Sequence, residues 1–292
     1  MRVAWCMAVI GCGLVAAGPA RGFTLEAREP GRSEAARALP ELARLEEPGA
    51  AVLVLRGEVP AAKAAELVRL VRAAAQDARR RFLPPAPAGL QPVDVCLLAD
   101  TARYRAFLDA LLGPGHGEND LGLFNPYRRV VAANLDMPPG HLRHEIVHAL
   151  VADALGPLPA WLDEGLASLY NEARPVEGGL ELGRTYRLDQ LRAAREAGTL
   201  PDLAELARST GRSVYGARSR AFYSLGRFLL LHLDSRGELR AFLAALRAAP
   251  ATEAGQREVL ARFVDWPVFL AWEGGLPEQR ERASPREALP VR

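Results

Sequence analysis

Alternating strand-like and helix-like patterns fill the first half of this chain, and a succession of helical periods fills the second. Ala51-Val52-Leu53-Val54-Leu55 is short and continuously apolar, which predicts a buried strand. Residues 60–82 set Leu67, Leu70, Val71 and Ala74 at helical spacing and predict a long amphipathic helix. Pro84-Pro85-Ala86-Pro87 interrupts the pattern. A second strand is expected over 92–98, then a helix capped by Thr101 and running to Leu112. A glycine-rich loop at 113–120 leads to a paired strand unit, 121–124 with 128–135, around Asn125-Pro126-Tyr127.

Residues 142–151 contain neither Pro nor Gly and read as a helix, started by Pro138-Pro139-Gly140 and stopped by Gly156-Pro157. A second helical run occupies 161–170, and the short connection lets the two helices lie antiparallel. Further helical periods follow at 188–197, 203–209, 219–233, 237–248 and 258–263, with a last one at 268–273. The expected fold is α+β: a small mixed sheet with helices over about 49–136, then a mostly helical lobe over about 137–274. Residues 21–48 show no strong period and predict a mobile lead-in or a loose helix. Residues 275–292, rich in Pro and Arg, predict a disordered tail.

The chemistry enters with His144-Glu145-Ile146-Val147-His148. Residues four apart on a helix lie one turn apart on the same face, so His144 and His148 can present two imidazole nitrogens to one metal ion. Glu145 sits about 100° round the helix from His144, at 3.6 residues per turn, and can reach a metal-bound water without being a ligand. Catalytic zinc takes three protein ligands and keeps the fourth position for water. Glu164, early in the second helical run, is the natural third ligand, and the short connection brings it back towards the histidines. His141 cannot share that ion with His148, because seven residues span roughly 10 Å of helix. It reads as a helix-start residue, and His116 and His232 as structural or surface residues.

Arg143-His144-Glu145-Ile146-Val147-His148-Ala149-Leu150, followed by Leu158-Pro159-Ala160-Trp161-Leu162-Asp163-Glu164-Gly165-Leu166-Ala167, resembles the gluzincin metallopeptidases. Within them it is similar to the peptidase MA-like family of bacterial extracytoplasmic proteins, over about 93–272. The resemblance implies zinc held by His144, His148 and Glu164, Glu145 as general base, and a zincin-like fold. It also implies that the strand just before the motif helix, 129–134, is a sheet edge receiving extended substrate. A strand that simply completes the sheet is the other reading. A tetrahedral oxyanion needs one donor besides the metal. Tyr223, on a helix that the resemblance sets beside the cleft, is the first candidate, with Tyr215, His232 and Arg220 as rivals. Tyr223 also reads as a plain core aromatic. For an imidazole-orienting partner, Ser168 is preferred over Asp163, since it shares the Glu164 face one turn on. Aminopeptidase relatives carry a Gly-x-Met-Glu-Asn stretch upstream. Here Gly122-Leu123-Phe124-Asn125-Pro126 lacks the carboxylate, which favours an endopeptidase acting on peptide or protein substrates. The alternative is a non-catalytic, metal-binding scaffold of the cell envelope, against which the presence of Glu145 argues.

Composition adds a location and removes a partner class. Net charge is +2 with no concentrated basic face, which argues against nucleic acid. Arg2 is followed by an apolar run over 3–17 and then Gly18-Pro19-Ala20. That run is shorter than the roughly 20 residues that span a bilayer. It predicts a secretory signal peptide over 1–20, export to the periplasm or beyond, and no membrane span in the mature chain. An uncleaved anchor is the alternative, and Cys12 as a lipoprotein site a lesser one. Removing the signal takes Cys6 and Cys12, leaving Cys96 as a buried structural residue rather than a reactive thiol.

Overall fold

The computed structural model describes residues 33–276 apart from 48, 50–51, 115–120 and 184. The expected signal segment, nearly all of the expected tail and His116 lie outside the described residues. Described elements run α1 (Glu34–Arg37), β1 (Glu41–Leu45), β2 (Leu53–Gly57), α2 (Ala61–Arg81), β3 (Val93–Leu98), α3 (Thr101–Leu112), β4 (Gly122–Asn125) and β5 (Val130–Asn134). The chain continues through α4 (Gly140–Leu155), α5 (Ala160–Ser168), β6 (Arg174–Val176), β7 (Gly179–Glu181) and α6 (Arg187–Glu196). It ends in α7 (Leu203–Arg208), α8 (Gly211–Val214), α9 (Ser219–Ser235), α10 (Leu239–Ala248), α11 (Glu253–Phe263) and α12 (Trp266–Gly274). The α+β architecture is as expected, a mixed sheet followed by a helical lobe.

Strands order β1-β2-β3-β5-β4, with β2, β3 and β5 parallel and the two outer strands antiparallel to their neighbours. Side chains alternate across the pleat. Val93, Val95 and Leu97 face α2 and α4 on one side, while Cys96 and Leu98 face α1 and α3 on the other. Both sheet faces are therefore covered, which explains why the parallel strands read as continuous apolar runs. Cys96 is fully buried and its thiol is pushed up by burial and by Asp94, the state of an inert side chain.

Four local expectations change. The lead-in forms β1 at its end, pairing antiparallel with β2. Asp100, not Thr101, caps α3, its carboxylate accepting from the Arg103 N–H, while the Thr101 hydroxyl donates to Asp136. A small hairpin, β6 with β7, stands where only helical patterns were expected. The strand 129–134 is also not an edge: β5 lies between β3 and β4, so β4 is the edge beside the motif helix. The second strand of a hairpin can insert inward, and here β5 pairs parallel with β3 and leaves its partner outside.

Helix α4 buries Leu142, Ile146, Val147, Ala149, Leu150 and Val151 in the core, leaving His144, Glu145 and His148 on its less buried side, with Glu145 against β4. Gly156, at φ 75°, stops it in a backbone conformation natural to glycine. Helix α5 then packs on α9 through small residues. A methyl group on Gly226 would sit 2.6 Å from the Trp161 carbonyl oxygen, and one on Gly165 would sit 2.7 Å from Leu230. Close approach here brings α9 against the helix that carries Glu164. No described helix is long and apolar enough to cross a membrane.

Candidate metal centre

His144 and His148 present Nε2 atoms 3.0 Å apart. Glu164 Oε2 lies 3.4 Å from the first and 3.6 Å from the second. The far side of each ring is held. Asn171 Oδ1 is 2.8 Å from His144 Nδ1, and Asp163 Oδ1 is 3.0 Å from His148 Nδ1. With each Nδ1 facing an oxygen that can accept its proton, Nε2 is the atom each neutral ring would offer a metal ion. Glu164 Oε2 is buried with no hydrogen-bond partner.

Three potential ligand atoms thus converge on one point. The donor set itself calls for a cation. Metal–ligand bonds of about 2.0–2.1 Å in a tetrahedron place ligand atoms about 3.3 Å apart, and the observed triangle has edges of 3.0, 3.4 and 3.6 Å. His144, His148 and Glu164 therefore fit one metal ion. The electrostatics agree. Burial alone lowers the His148 imidazole, but Asp163 and Glu164 outweigh it and hold the group well above its usual value. Burial alone raises the Glu164 carboxyl, and the two imidazoles nonetheless hold it well below the usual carboxylate range. Positive charge is favoured at this point.

Glu145 lies beside the triangle, against the edge strand. A methyl group added to Gly122 of β4 would sit 2.9 Å from Glu145 Cγ, so glycine is what lets the strand pass the carboxylate this closely. Burial raises the Glu145 carboxyl, with His144 and His148 pulling it back down. Gly140 serves a similar close approach at the start of α4. A methyl group there would overlap the Asn171 carbonyl at 1.8 Å, and Asn171 is the residue whose side chain holds His144.

From the other side, α9 and the residue after α8 reach Glu164. The Tyr215 hydroxyl donates to Oε1 at 3.0 Å. Tyr223, 7% exposed, also brings its hydroxyl to Glu164, and its phenol is raised by burial and by that carboxylate. The rings of the two tyrosines stand edge to face at 6.3 Å. The rival donors are elsewhere. Arg220 is exposed. His232 is buried against Phe269 and Trp272, nine residues and ~13 Å along α9 from Tyr223. His141 opens α4, outside the ligand triangle, its imidazole lowered to about 4 by burial, His144 and Arg187.

The expected imidazole partner is corrected. Ser168 donates to the Gly165 carbonyl within its own helix and touches neither histidine. Asp163 takes that place, because α5 crosses α4 with two of its faces turned to the histidine pair rather than one. Asn171 had no signal in the sequence. It lies beyond α5 and is set by tertiary contacts, with Arg143 donating to the Tyr170 and Asn171 carbonyls. No protein-family model matches this chain, and no curated protein matches it.

Proposed function

We propose that this protein is a zinc-dependent peptidase of the gluzincin kind, acting as an endopeptidase on peptide or protein substrates. The observation that carries the reading is the ligand triangle with a carboxylate that is not a ligand, Glu145, packed between it and a sheet edge. A bare metal-binding scaffold has no use for that fourth group.

When bound, zinc supplies a Lewis acid and lowers the pKa of a water molecule to roughly 7. Glu145 Oε takes a proton from the attacking water and returns it to the leaving amine nitrogen as the C–N bond breaks. Its raised affinity for protons, a consequence of burial, suits it to hold the proton between those two transfers. The Tyr223 hydroxyl donates to the developing oxyanion, from a position already beside Glu164. Strand β4 ends the sheet order, and an extended peptide can add to such an edge as a further strand, with Gly122 bringing it next to Glu145. Export by the N-terminal apolar run belongs to the same reading.

Two measurements test it together. Metal analysis of the purified chain is expected to give about one zinc per chain, the complement of a single catalytic site. His148→Ala should lose it, since two remaining ligands hold zinc poorly. Two imidazoles and a carboxylate also suit iron(II), so equimolar iron in place of zinc overturns the assignment. Glu145→Gln should keep its metal while cleavage of a peptide library falls by at least about 100-fold. Undiminished cleavage in that variant removes Glu145 as the base.

A further inference from the structure

Arg187 opens α6 with its guanidinium lying over the Tyr223 ring at 5.0 Å and over the Tyr186 ring at 5.4 Å. Among the described residues it makes neither an ion pair nor a side-chain hydrogen bond, and its Nε is buried without a partner. Stacking on aromatic faces holds the guanidinium plane while its in-plane N–H donors stay available for hydrogen bonds. The ring it covers belongs to the tyrosine that reaches Glu164, so the guanidinium lies one tyrosine away from the metal centre.

The surroundings are positive as well. Arg227, fully buried, donates to the Ser168 and Gly183 carbonyls and has its own Nε unpartnered. Arg143 donates to two more carbonyls, of Tyr170 and Asn171. Burial and then the charge of Arg187 lower Arg227, so these two guanidinium groups oppose each other. Glu172 feels both but pairs with neither. Leaving the buried Arg187 Nε unpaired is destabilising, and a carboxylate meets a guanidinium with two parallel hydrogen bonds.

We propose that Arg187 receives a carboxylate of the substrate, so that the enzyme selects peptides carrying one next to the scissile bond. The inference rests on the peptidase reading and names its substrate class. A carboxylate has two sources in a peptide, an acidic side chain, which suits the endopeptidase reading, or the free C-terminus, which would make the enzyme a carboxypeptidase, and the test separates them.

Four peptides of one sequence serve as probes: internal Glu or Gln, each with a free or amidated C-terminus. The zinc-loaded protein should cleave the peptide bearing the recognised carboxylate roughly 10- to 100-fold faster in kcat/KM than its neutral isostere. The arm that responds identifies the source. Arg187→Gln should reduce that ratio to about one, with the change in KM rather than kcat, as for a contact made equally in ground and transition states. Arg187→Lys, which keeps the charge and loses the fork, should retain only part of it. Equal rates for all four peptides, or a full preference surviving in either variant, overturn the proposal. Should Arg187→Gln fail to fold, Arg187→Lys decides alone. Calorimetric binding of the same peptides to Glu145→Gln protein, with and without the Arg187 change, needs no turnover. If nothing is cleaved but carboxylate peptides bind through Arg187, the peptidase reading falls and the carboxylate site stands. If cleavage occurs without discrimination, the carboxylate site falls alone.

Discussion

Asp163 holds His148 by a 3.0 Å contact between Oδ1 and Nδ1, so the residue next to the third ligand orients the second. Helix α5 therefore contributes twice to the centre, once by binding and once by aiming. Asp163→Ala should weaken zinc binding by about 10- to 100-fold, as should Asn171→Ala through His144. Chelator competition measures both, and affinities equal to the parent's would show that the contacts do not orient the rings.

Loading the site should stabilise the fold. The two imidazoles and the Glu164 carboxylate meet at 3.0 to 3.6 Å only in the folded chain, so a metal ion held by all three binds the folded state. Zinc at a hundred times its dissociation constant adds about 2.7 kcal/mol of unfolding free energy when it binds only the folded state. Denaturant titrations with and without zinc read this directly. In Glu164→Ala protein the two curves should coincide.

Gly122→Ala tests the approach of the edge strand. Its methyl group would lie 2.9 Å from Glu145 Cγ, closer than carbon atoms come, so the carboxylate has to shift. A misplacement of about 1 Å can cost on the order of 100-fold in rate. Cleavage should fall by that order while zinc content stays at the parent value. Parallel loss of metal would instead indicate wider damage to α4.

The two tyrosines on Glu164 should separate by readout. Tyr215 donates to Oε1, so Tyr215→Phe should act on zinc affinity. Tyr223→Phe removes the proposed oxyanion donor and should lower kcat by roughly 100- to 1000-fold with the metal retained. If Tyr223→Phe cleaves like the parent, the oxyanion donor is another group.

What the sequence made legible was the part carried by local spacing. His144 and His148 lie one turn apart on any helix, and Glu164 follows after a connection too short to go elsewhere, so the triangle needs little tertiary knowledge. Asp163 was misjudged because its direction depends on the angle at which α5 crosses α4, which no periodicity encodes. Asn171 was invisible for the same reason, being placed by the Gly140 approach and the Arg143 contacts. In the sheet, each strand pattern was readable but the pairing order was not. Whether β4 or β5 ends outside is decided by β5 pairing with β3, a contact between distant segments. The strands of β6 and β7, three residues each, are too short to carry a period at all.

All three ligands and Asp163 come from one helical hairpin, α4 with α5, whereas Gly122 and Tyr223 arrive from the sheet edge and from α9. Closing a short loop costs less chain entropy than closing a long one, and contacts local in sequence form early in folding. The ligands themselves are thereby brought together by a single hairpin, while Asn171 and Tyr215 from outside it tune their hold and the proposed catalysis waits on the docking of β4 and α9. On the proposed peptidase reading, affinity and turnover become separately mutable traits: changes in β4 or at Tyr223 would retune cleavage while the ligand set on α4 and α5 stays the same.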